Sequence, residues 1–162
     1  MRRLTKFKIG GSSYPVYTFV WEDDKEGVGM APEVYTYQGT ELPDPALIVA
    51  AREVGIMAAK MVSINGTDSD FEKGAAFHGL TIEYPKQLEG YQLRVQASMK
   101  YPWNGYTFKY VTPAWRVYHK DTFGDFNTKL RESVLRLMQE CWKYIDGERA
   151  QVQLFEGSQD SH

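Results

Sequence analysis

The 162 residues are enough for one domain with a sizeable core, and 43% hydrophobic with 25% charged residues are ordinary globular proportions. A net charge of −2 excludes a globally basic nucleic-acid binder, and the lone Cys141 excludes an intrachain disulfide or a thiolate metal cluster within one chain. No window approaches the roughly 18 apolar residues of a membrane span, and the start MRRLTKFKIGGSS lacks a secretory apolar run, so the expected location is cytoplasmic, away from membranes.

In chain order, Thr5–Ile9 alternates Phe7 and Ile9 against Lys6 and Lys8, as a short strand does. Gly10-Gly11-Ser12-Ser13 then turns the chain into Tyr14–Trp21, where Val16, Thr18 and Val20 face one way and Tyr17, Phe19 and Trp21 the other. Both sides are apolar enough to predict that both are covered. Glu22–Ala31 reads as a polar loop and Glu33–Tyr37 as a third strand. Asp44 and Pro45 announce a helix over Ala46–Ile64, the first as a cap and the second at the first helical position. Ala51, Gly55 and Ala59 make a stripe of small residues along it. Such a stripe suits bulky partners packed beneath, and it could also pair two copies of the chain. Asn65–Asp70 is a turn-forming cluster, and Phe77–Tyr84 a fourth strand with His78, Leu80, Ile82 and Tyr84 in phase.

The stretch Gly90–Lys120 departs from the average. It has no acidic residue, eight aromatics and five of the 19 basic residues, so the remainder of the chain sets 14 basic against 21 acidic residues. Tyr91–Tyr101 alternates Tyr91, Leu93, Val95, Ala97, Met99 and Tyr101 against Gln92, Arg94, Gln96, Ser98 and Lys100. Asn104-Gly105 signals a tight two-residue hairpin turn. That register sets Trp103 opposite Tyr106, Tyr101 opposite Phe108 and Met99 opposite Tyr110, which sorts aromatics to one face and cations to the other. Pro113 predicts a bend or bulge before Trp115–His119.

A second long helix, capped somewhere in Asp121–Asp125, is expected over Phe126–Ile145, with Phe126, Leu130, Val134, Leu137, Cys141 and Tyr144 in its apolar stripe and Gly147 at its end. Gln151–Phe155 could add a short edge strand, and Gly157–His162 reads as a flexible tail. The expected fold is α+β: an antiparallel sheet of about five to seven strands with both long helices on its aromatic face. The element order is βββ-α-βββ-α-(β), within a single domain spanning residues 1–156.

No motif names a reaction. His78 and His119 are the candidates for acid–base chemistry of a nucleotide or phosphoester, yet HGLT and HKDT do not match the H-x-[ST] pattern of phosphoesterases. His162 falls in the tail. Asp68, Asp70 and Glu72 are spaced like a calcium loop without its sixth-position glycine and twelfth-position glutamate, and Glu22, Asp23, Asp24 and Glu26 read as a solvated acidic run. Gly10–Ser13 lacks the lysine of a phosphate-cradling loop, so no cofactor or metal is expected. The better-supported expectation is a binding protein using a basic, aromatic-tipped hairpin on an anionic or macromolecular partner, either a protein or a single-stranded nucleic acid. Its contact set is Arg94, Lys100, Tyr101, Trp103, Tyr106, Lys109, Arg116 and Lys120. Assembly into a homo-oligomer, through the small-residue stripe or an edge strand, is a further possibility.

Overall fold

Seven strands make one antiparallel sheet in the computed structural model, which describes residues 1–24, 31–62, 64–86, 89–120 and 124–147. They are β1 (Arg2–Gly10), β2 (Val16–Asp23), β3 (Glu33–Gly39), β4 (Ala75–Glu83), β5 (Tyr91–Lys100), β6 (Thr107–Val111) and β7 (Trp115–Val117). The order across the sheet is β3-β2-β1-β4-β5-β6, with β7 pairing the other half of β5. β6 and β7 thus form one interrupted edge. Among the described residues three helices accompany the sheet: α1 (Pro45–Met61), the short α2 (Asp68–Gly74) and α3 (Asp125–Ile145). The α+β expectation holds, with both long helices on the same face of the sheet.

Alternation explains that one-sidedness, reset in β1 by a bulge between Leu4 and Lys6 that keeps Leu4 and Phe7 on one face. Leu4, Phe7, Tyr17, Phe19, Leu80, Ile82, Leu93, Val95 and Ala97 all point to the covered face and are buried with Leu47, Val54, Leu130, Val134, Leu137 and Tyr144 of the helices. Burying each of the larger aliphatic and phenyl side chains among them stabilises the fold by about 1.5–3 kcal/mol relative to exposure. Tyr144 stacks on Phe19 at 5.1 Å and donates its hydroxyl to the Glu41 carbonyl at 2.8 Å, which fixes the end of α3 over β2 and β3. Among the described residues the other face carries no helix. The expectation that both sides of β2 are covered is therefore corrected: Tyr17 and Phe19 are buried, whereas Val16, Thr18 and Val20 lie half-buried on the open face. Val20 is flanked there by Lys6 and Thr36, which leave it only partly screened.

The small-residue stripe of α1 lies against the sheet. A Cβ on Gly55 would stand 3.2 Å from the Phe77 amide nitrogen, so a larger residue would push the helix and β4 slightly apart. Ala58 and Ala59 are fully buried in the same interface. The Asp44 carboxylate accepts the Ala46 amide at 2.9 Å, as its capping position implies. The polar Asn65–Asp70 cluster is more than a turn. Thr67 and Asp70 form a capping box, each side chain accepting the other's amide, and α2 follows with Phe71 buried. The Asp70 carboxylate is thereby engaged in capping. At α3 the N-cap is Gly124, residues 121–123 lying outside the described ones, and Asn127 clasps the Tyr118 backbone through both ends of its amide. The proposed strand Gln151–Phe155, the tail Gly157–His162 and Glu26 likewise lie outside the described residues. Glu22 and Asp24 are not simply solvated: Arg3 pairs with both, at 3.7 and 3.1 Å.

Candidate functional site: an open cationic sheet face and its hairpin edge

Two strand irregularities shape the uncovered face. In β4 a bulge between Phe77 and Gly79 leaves His78 as the extra residue, so Phe77 and Leu80 both reach the core while His78 turns outward. His78 is therefore out of phase with Leu80 and Ile82, contrary to strict alternation. Its Nε2 lies 2.8 Å from Ser98 Oγ on β5. Burial, and then the nearby Lys109 ammonium, push the imidazole pKa below its usual value. The second irregularity separates β6 from β7. Thr112 donates its amide to the Val95 carbonyl and accepts the Val95 amide on Oγ1, both at 2.9 Å, while Pro113 turns the chain.

The hairpin register differs by two residues from the tight-turn expectation. Met99 faces Phe108, Ala97 faces Tyr110 and Lys100 faces Thr107, leaving Tyr101–Tyr106 as the loop. Pro102 has no amide to extend the ladder, and the Gly105 amide closes instead on the Tyr101 carbonyl at 3.2 Å. Gly105 takes φ +72°, and Asn104 Oδ1 accepts the Tyr106 amide at 3.0 Å. A shift of two preserves side-chain direction. The aromatics and the cations of this hairpin accordingly remain on opposite faces.

On the open face, Lys6 and Lys8 of β1 join Arg94 and Lys100 of β5 and Lys109 of β6, interspersed with Thr18, Thr81, Gln96 and Ser98. All five cations are exposed, and among the described residues none has an ion-pair partner. Arg116 and Lys120 are differently placed. The Arg116 guanidinium donates twice to the Glu89 carbonyl, at 3.1 and 3.0 Å, and lies 4.6 Å from the Tyr118 ring centre. Lys120 pairs with Glu89 at 4.0 Å. Both are thus partly committed to holding the Glu89–Gly90 turn. Lys6 and Lys8 went unremarked as cations in the sequence because they lie far from the basic stretch. Their alternation with Phe7 and Ile9 already set them on a common face; only the β1–β4 pairing brings that face beside Arg94.

The hairpin end presents the rings. Trp103 and Tyr106 are 74% and 75% exposed, and Phe108 is 42% exposed. Tyr101 stacks between Trp103 at 5.1 Å and Phe108 at 6.1 Å, anchored by its hydroxyl on the Asn65 carbonyl. The tip is not folded into the core. His119, by contrast, packs edge-on to Tyr91 at the far end of β5, roughly 20 Å from His78 at about 3.3 Å per residue. The fold does not bring the two histidines together. Ser98, the hydroxyl beside His78, is only 3% exposed. Among the described residues, no three carboxylate, histidine or cysteine side chains are close enough to hold a metal ion, and no helix is long and apolar enough to cross a membrane. No protein-family model matches this chain, and neither a curated protein nor a solved structure is similar to it.

Proposed function

We propose that this chain is a binding protein that takes up an extended acidic segment of a protein partner as an added strand along β6. The observation that carries this reading is the two-sided chemistry of that edge. Among the described residues β6 pairs with β5 alone, so its outer main-chain groups have no strand to bond. Phe108 and Tyr110 project to one side, toward Tyr101 and Trp103, and Lys109 projects to the other beside Lys100. Side chains of an incoming strand alternate with period 2. One with apolar residues on one side and carboxylates on the other would meet the rings and the ammonium groups together. Main-chain bonds would supply affinity, and the alternating contacts specificity. Trp103 and Tyr106 are of the type that anchors interfaces.

A single-stranded nucleic acid fits this edge less well. Its bases would need Trp103 or Phe108 while its phosphates needed Lys100 and Lys109, which lie on opposite faces of the same two strands. Catalysis has less support again, since His78 and His119 act from opposite ends of β5.

The test is fluorescence anisotropy with a labelled peptide in which glutamate alternates with aliphatic residues. Saturable binding that weakens with salt, and is abolished when alternate peptide amides are N-methylated, supports strand addition. Indifference to N-methylation, or tighter binding of a single-stranded oligonucleotide, overturns it. A stable dimer by light scattering that the peptide dissociates would assign the edge to a second copy of the chain instead.

A further inference from the structure

The bulge at His78 does more than redirect one side chain. β1 and β4 run together only where Lys6–Lys8 face Thr81–Gly79. Beyond that point β4 stays with β5, while β1 continues with β2 as far as Gly10. The strands part, and a cavity of ≈ 550 Å³ opens between them on the cationic face. Its polar lining is Lys8, Gly10, Gly11, His78, Gln96 and Lys109, drawn from four strands and one turn, and Val111 contributes apolar wall on the same face.

No acidic residue lines this space among the described residues, so two ammonium groups border one cavity without a counter-charge. Such an arrangement is self-repelling until an anion sits between the charges. The remaining groups suit the same ligand. Ser98 holds the His78 ring at 2.8 Å. Because burial and Lys109 lower its pKa, the imidazole stays neutral near pH 7 and hydrogen-bonds without adding a third charge. Gln96 supplies an amide donor, and Gly10 and Gly11 have no side chain to keep a ligand from the main chain. The volume exceeds that of a bare inorganic anion and falls in the range of about 300–1,000 Å³ common to small-molecule sites.

We propose that this cavity binds a phosphate monoester, its dianionic group between Lys8 and Lys109 with Gln96 and His78 as hydrogen-bond partners, and its organic part against Val111. The proposal shares Lys109 with the β6 edge but does not depend on strand addition there.

The full chain would be titrated with inorganic phosphate, phosphoserine and adenosine 5′-monophosphate, and with serine and adenosine as unphosphorylated controls. Calorimetry gives affinity, and amide NMR shifts give position. Saturable binding of the phosphorylated probes alone is expected, with shifts centred on Gly10, Gly11 and His78. Tighter binding of the nucleotide or of phosphoserine would support the site and identify the source of its phosphate. Lys8→Gln should weaken binding by at least ~10-fold, the scale of a lost charge-assisted hydrogen bond. Lys6→Gln, on the same face outside the cavity, should change it by less than ~2-fold. Equal weakening by both variants would reduce the effect to diffuse surface charge and overturn the site. So would adenosine binding as well as its monophosphate, or shifts that never saturate. Gln96→Ala gives a second, uncharged variant, and unchanged melting curves show that each variant is folded. Lys8→Gln should leave binding of the acidic peptide intact. Loss of peptide binding with phosphate binding retained would remove the strand-addition reading alone.

Discussion

Replacing Thr112 with valine isolates a single buried hydrogen bond. Thr112 is 2% exposed, and its Oγ1 accepts the Val95 amide at 2.9 Å where the edge passes from β6 to β7. Valine keeps the shape and the β-branching but offers no acceptor. The Val95 amide, on a fully buried residue, is then left without a partner, since the Thr112 amide still bonds the Val95 carbonyl. An unsatisfied buried donor costs about 1–3 kcal/mol. With a urea m value of about 1–3 kcal/mol/M for a chain of this size, the unfolding midpoint should fall by roughly 1 M. Urea denaturation followed by far-UV circular dichroism reads that shift. Thr112→Ser retains the hydroxyl and should lie nearer the wild type. A Thr112→Val midpoint within about 0.2 M of wild type, or a serine variant as unstable as the valine one, would refute the role assigned to this hydroxyl, given the usual ~0.5 kcal/mol scatter of neutral substitutions.

Trp103→Ala should weaken the acidic-peptide complex while lowering stability by no more than about 0.5–1.5 kcal/mol, the worth of an aromatic pair, because its main ring contact is with Tyr101. Thermal melting and anisotropy on the same sample decide it, and a loss of ~3–5 kcal/mol would mean that the ring is core. For His78, a folded pKa depressed by burial and Lys109 means that the unfolded chain binds the extra proton first as pH falls below the unfolded value of about 6.5. The stability contributed above that pH is lost as pH falls through the folded pKa. Melting temperatures between pH 8 and pH 5 should therefore drop more steeply for the wild type than for His78→Gln, and parallel curves would contradict the shift.

Much of this architecture is legible in the residues because its signals are local. The alternation of Tyr91–Tyr101, the Asp44–Pro45 helix start and the apolar stripe of α3 each need only a few neighbours to be recognised. The bulge at His78 is not legible in the same way. Its effect is to keep Phe77 and Leu80 on one face, so the apolar residues still look like part of a regular strand. The hairpin shows a related difficulty. Asn104-Gly105 does mark the turn, but Pro102 removes a ladder donor and widens the loop, moving the register by two. A one-residue error would have exchanged the two faces; this one left the separation of rings from cations untouched. α2 had a readable signal in Thr67 and Asp70, three residues apart, obscured by the resemblance of the same acids to a metal loop. Lys6 and Lys8 are the opposite case. The cations they join on the open face lie more than seventy positions away, and nothing local names them.

That arrangement also separates what holds the fold from what meets solvent. The buried side chains of β1 and β5 face the helices, and the intervening Lys6, Lys8, Arg94, Gln96 and Lys100 face solvent. None of the four cations in that set has an ion-pair partner among the described residues, so neutralising one leaves no opposite charge stranded. Exposed substitutions of this kind ordinarily change stability by less than about 0.5 kcal/mol. Clustered like charges even work slightly against the folded state, so removing them relieves repulsion. Stability therefore gives no physical reason for this sheet to gather lysines and an arginine on its one uncovered face. An anion bound there, as proposed, would supply one, because the repulsion among the cations would become attraction to the ligand.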